Sequence, residues 1–137
     1  MSIIEESNLL DDNEKNYLFN LGTTRMLLGD FKNAMACYQY LLVNEPNNAL
    51  YTKSLASCFQ QMTKFDLAYL YYQLSLALNN SDIKCMFYSA VCLFNLANYT
   101  KAAQLFLDFI QLSDNDELKL RSQVYLEQIS LKNQDDE

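Results

Sequence analysis

Histidine and tryptophan are absent from this chain, and its 137 residues include only two glycines and one proline. Without imidazole there is no ready general acid–base near neutral pH. The four cysteines, Cys37, Cys58, Cys85 and Cys92, form no Cys-x-x-Cys pair, and no histidine can complete a Cys/His zinc site. Each cysteine falls in an apolar stretch of helical character, so buried free thiols acting as small hydrophobes are expected, with neither disulfides nor metal. There is no glycine-rich phosphate loop and no placed pair of carboxylates, so neither an enzyme nor a cofactor is expected. No apolar run approaches the roughly 20 residues that cross a bilayer. The start, MSIIEESNLLDDNEKN, lacks the basic region of a signal peptide, and a cytoplasmic location is expected. Cations are also few: 10 Lys and Arg against 17 Asp and Glu, a formal charge of −7. That balance argues against nucleic acid or an anionic membrane as partner, and it favours solubility.

Half of the residues are hydrophobic, and with so few helix breakers the chain reads as compact and all-α. The hydrophobic pattern repeats. Ala34, Ala68 and Ala102 are 34 residues apart. The same step links Phe31, Phe65 and Tyr99; Tyr38, Tyr72 and Phe106; Leu42, Leu76 and Ile110; and Gly29, Thr63 and Ala97. A small residue early in a helix allows a tight crossing, and aromatics fill the space beside it. This period is the signature of the tetratricopeptide helix–turn–helix unit. The expected architecture is three such repeats in a short right-handed solenoid with a C-terminal capping helix. Residues 15–48, 49–82 and 83–116 form the repeats and 117–132 the cap. Residues 1–14 are an acidic lead able to form a short helix, and 133–137 are a polar tail.

Turn chemistry fits these boundaries. Gly29 suits a left-handed helix end and Asp30 can cap the helix that follows. Pro46 disfavours the α conformation at the residue before it. The runs 79–82 and 113–116 are expected to supply turn and cap for the later helices. In the cap, Leu118, Tyr125 and Ile129 share a face that can close the open end of the array.

The first helices of such an array line its inner side, so the stripe opposite the core reports on a ligand. Cys85 to Thr100 carries no charge. With Met86, Ala90 and Leu93 assigned to the core, Phe87, Tyr88, Val91 and Phe94 remain, three of them at i, i+4 and i+7. Either a peptide covers this stripe or the rest of the chain does, and with three repeats little chain is left. A peptide-binding groove is therefore preferred. The first repeat gives a similar pair, Phe19 and Met26. The second offers Lys53, Ser57 and Gln60, which can bond the backbone of an extended peptide. The candidate groove is thus Phe19, Met26, Lys53, Ser57, Gln60, Phe87, Tyr88, Val91 and Phe94.

The stretches GTTRMLLGDFKNAMACYQYLL, LASCFQQMTKFDLAYLYYQLSLAL and FYSAVCLFNLANYTKAAQLF together resemble the class II chaperones of bacterial type III secretion. The resemblance covers about residues 15–112. It implies a small acidic cytoplasmic bacterial protein that holds a hydrophobic translocator, or an effector, in its concave groove before secretion. By register Phe19 and Met26 fall where that family places groove aromatics, Met26 departing from the usual type, and Phe87 matches a phenylalanine of the third repeat. Family members often dimerise through N-terminal helices. The segment here is shorter and more acidic, which leaves a homodimer open. An alternative within the same fold is a subunit that wraps a needle or other helical component of the secretion apparatus. An adaptor for a heat-shock chaperone's C-terminal carboxylate needs Lys, Asn and Arg where this chain has Phe19, Thr23, Ser54, Lys84 and Tyr88. Only Lys84 fits.

Overall fold

The computed structural model describes residues 9–135. Any short helix in residues 1–8, and the last two residues of the tail, lie outside them. Seven helices follow in order: α1 Asp12–Leu27, α2 Phe31–Asn44, α3 Ala49–Gln61, α4 Phe65–Leu78, α5 Lys84–Asn95, α6 Tyr99–Leu112 and α7 Asp116–Asp135. Successive helices pack on one another along the chain, the pattern of a helical solenoid. α1 begins before Lys15 because Asp11 and Glu14 form a capping box: the Asp11 carboxylate accepts from the Glu14 N–H and the Glu14 carboxylate from the Asp11 N–H. α2 stops at Asn44, before Glu45, which precedes Pro46 and turns away from the helix with φ −135° and ψ 80°.

The two helices of each repeat are joined by the same turn. Gly29, Thr63 and Ala97 all have positive φ, at 77°, 59° and 62°. Around each, two backbone bonds close the end of the first helix. The N–H groups of Asp30, Lys64 and Asn98 reach back to the carbonyls of Arg25, Phe59 and Leu93, and those of residues 29, 63 and 97 to Met26, Gln60 and Phe94. This double closure is the Schellman arrangement.

The small positions sit at the crossings. Ala34, Ala68 and Ala102 have no exposed surface. In the first repeat Gly22 serves the same end: a Cβ there would stand 2.7 Å from the Tyr38 ring and 3.2 Å from the Cys37 Cβ. The core falls into two clusters. One fills repeats 1 and 2 and extends to Cys85 and Cys92 of α5; the other joins Phe87, Ala90, Val91 and Leu93 of α5 to α6 and α7. Tyr69 and Tyr88 pack against both clusters.

α7 closes the second cluster. Leu118, Ser122 and Ile129 are buried, and the Tyr125 ring stacks on Phe106 at 4.9 Å and meets Phe94 edge-on at 5.0 Å. The helix continues beyond 132 to Asp135, so residues 133–135 extend it. Two capping expectations divide. Asn115 accepts from the Leu118 N–H and caps α7. Asp82 does not cap α5; its carboxylate instead takes Lys53 at 2.6 Å.

Candidate functional site

α3 presents Lys53, Ser54, Ser57, Gln60 and Gln61 on one side, as the helical period requires. α5 contributes Lys84 and Tyr88. Tyr72 of α4 and Arg121 of α7 complete a cleft of about 510 Å³. Its floor is fixed by short bonds. The buried Tyr72 hydroxyl donates to Gln60 Oε1 at 2.6 Å, and the Tyr72 and Tyr88 rings stack at 5.4 Å. Burial pushes the Tyr72 phenol well above its ordinary range, so it stays a neutral donor. Holding Gln60 by its oxygen turns its amide N–H groups into donors for something else. The Lys53 ammonium is anchored on Asp82, tying α3 to the loop before α5.

Arg121 also borders a neighbouring hollow of about 420 Å³ lined by Phe94, Val124, Tyr125 and Gln128. A polar cleft therefore opens beside an aromatic hollow, the two sharing one arginine. Such a surface can hydrogen-bond an extended backbone and accept apolar side chains; it holds no nucleophile activated by a base.

Four of the expected groove residues, Lys53, Ser57, Gln60 and Tyr88, come together in the cleft, and Phe94 lines the hollow beside it. Phe87 and Val91 do not reach it. Phe87 has no exposed surface and Val91 6%. Phe87 lies among Phe106, Phe109 and Tyr125 at centroid distances of 5.6 to 6.4 Å. The stripe that looked open to a ligand is covered from within, because α7 and α6 supply the missing cover. Phe19 and Met26 stand apart from both cavities. Phe19 packs on the rings of Tyr38 and Tyr51 at 5.8 and 5.9 Å, and Met26 Sδ lies 3.3 Å from Cys58 Sγ.

The sequence reading missed Arg121, Val124 and Gln128, and assigned Tyr125 to core packing alone. The signal was available: 121, 124 and 128 follow i, i+3, i+7 along the cap, a second stripe beside its core face. A larger apolar hollow, about 630 Å³, lies elsewhere, between α1 and α2, and includes Leu10, Tyr17, Leu18, Cys37 and Tyr40. No group of three or more His, Cys, Asp or Glu among the described residues could hold a metal ion, and no helix there is long and apolar enough to cross a membrane.

Comparison with known proteins bears on the array as a whole. The pattern of the family described as anaphase-promoting complex, cyclosome, subunit 3 matches residues 9–109. Among solved structures, the type III secretion chaperone SycD of Yersinia enterocolitica, in complex with a peptide of the translocator YopD, is 24% identical. It superposes with a TM-score of 0.82 over 90% of this chain and 97% of that one. PcrH in complex with the chaperone-binding region of PopD gives 20%, 0.80, 90% and 96%. The first tetratricopeptide domain of Spaghetti, bound to an HSP90 peptide, gives 23%, 0.78, 90% and 95%. At these identities the likeness establishes the fold.

Proposed function

The chain belongs to the anaphase-promoting complex, cyclosome, subunit 3 family, and we propose that it uses this repeat array as a cytoplasmic chaperone of bacterial type III secretion. Its client is a hydrophobic translocator or related effector. The observation that carries the reading is the inner cleft: a row of backbone-bonding groups, Lys53, Ser57 and Gln60, running into the aromatic hollow at Phe94. An extended client segment lies along α3 with its backbone on that row and sets apolar side chains against Tyr88, Phe94 and Val124. Phe19 and Met26 offer a further apolar contact at the first repeat. The client's apolar surface is then hidden from water and from other clients. SycD, of the same fold, has been solved with a peptide of the translocator YopD, and PcrH with the chaperone-binding region of PopD, which supports the reading. The work is binding alone, and no nucleotide enters.

The test is to co-express the chain with its neighbouring genes and identify what stays bound through purification. A secreted, membrane-active protein is the expected prey. Val124→Glu, at a residue 47% exposed, should release it while the circular dichroism spectrum is unchanged. Retention of a needle-type subunit instead would move the protein into the secretion apparatus.

A further inference from the structure

We propose that the inner cleft selects client segments carrying an internal acidic side chain, whose carboxylate is received between Lys84 and Arg121. This rests on the chaperone reading above and adds a charge requirement to it.

The cleft lining holds Lys53, Lys84 and Arg121 and no acidic residue. Three of the chain's 10 cations thus converge on one concavity in a molecule of net charge −7. Lys53 is neutralised by Asp82 at 2.6 Å. The other ion pairs among the described residues are Lys15–Glu45 and Arg25–Asp30, so neither Lys84 nor Arg121 is in ion-pair contact with a carboxylate there. Lys84 also borders a second hollow that holds Asp82 and Asp114, and Arg121 is the cation set wholly on the cleft and the aromatic hollow. Helix stability does not explain Lys84. Lys84 opens α5, whose first turn has no acidic residue, and a cation there opposes the helix dipole. Arg121 lies with its guanidinium carbon 5.1 Å from the Phe87 ring centroid, against the flank of an aromatic wall. That contact holds the planar fork in place, and a guanidinium fork matches a carboxylate in geometry as well as in charge. The dipole of α5 adds positive potential at the same end.

The acid is a side chain within the segment and not the chain's end. Arg121 lines both the cleft and the hollow at Phe94, so a client that fills both must pass it. Arg121 therefore stands between the two parts of the track.

The probes are two synthetic peptides of about a dozen residues, blocked at both ends, with leucine anchors for the hollow at Phe94. They differ only at one central position, Glu in one and Gln in the other. Binding to the full chain is followed by fluorescence anisotropy at low and high salt. The Glu peptide should bind about fivefold more tightly at low salt, and the gap should close at high salt. Lys84→Glu should reverse the preference, and Lys84→Ala with Arg121→Gln should abolish it, circular dichroism melts confirming that each variant is folded. Equal binding of the two peptides overturns the inference and leaves the chaperone reading standing. So does a gain seen only when a Gln peptide is given a free C-terminal carboxylate, which would make the cleft a reader of chain ends. If neither blocked peptide binds and no client is retained on purification, both readings fall.

Discussion

Thr63 and Ala97 hold a left-handed backbone that glycine would hold at less cost, as Gly29 does in the first turn. The three turns share their hydrogen bonds, so the penalty falls on side-chain type alone. Ala97→Gly should therefore raise stability by about 1 kcal/mol, read as a higher urea midpoint at unchanged slope. An unchanged or lower midpoint would mean the turn is not held as described. The thiols behave differently with pH. Burial pushes Cys58 up to about 11 and Cys92 up to about 12, from 9.0. The unfolded thiols ionise first as pH rises, so the unfolded state binds fewer protons there, and stability falls. That contribution is whole below pH 9.0 and is lost as pH climbs through about 11 and 12. Tyr38, Tyr51 and Tyr72 are raised by burial and act in the same sense. Melting temperature followed by circular dichroism should be flat to about pH 8 and decline beyond it, whereas a rise into alkali would contradict the buried-thiol core.

At the scale of the helix, the third repeat teaches most. The charge-free run of α5 from Cys85 reads in sequence as a core stripe plus a ligand stripe, yet it is buried on nearly every side, with Phe87 and Val91 under α6 and α7. Phe87→Glu should accordingly abolish cooperative unfolding near the wild-type temperature, since it removes a ring packed on Phe106, Phe109 and Tyr125 and puts a carboxylate where no surface is exposed. Ala68→Arg should do the same by forcing volume and charge into a crossing with no free space. Wild-type-like melts for either would overturn the packing. The helices, their turns and the small residues at the crossings were legible because the 34-residue period states them three times over. The cover over Phe87 was not legible, because burial by a later helix depends on where that helix lands, which periodicity does not encode. Arg121 was missed for the same reason: the cap was read for what it closes, and its neighbouring stripe borders the cleft. Lys53 was legible as a groove residue, but its pairing with Asp82 was hidden because the acid was assigned to a cap.

Across the whole molecule, order passes from one helix pair to the next, and the two core clusters meet at Tyr69 and Tyr88. Tyr88 is also part of the cleft lining. The ring proposed to receive a client is thus one that packs against both core clusters. A segment settling on Tyr88 should stiffen both halves together, so that amides of α6, which lines neither the cleft nor the hollow, exchange with solvent more slowly in the complex. Hydrogen–deuterium exchange with and without client reads this directly, and protection confined to α3, α5 and α7 would show the halves to be independent. If the coupling holds, occupancy is advertised at the far end of the array, where any receiver could tell a loaded molecule from an empty one by its rigidity alone.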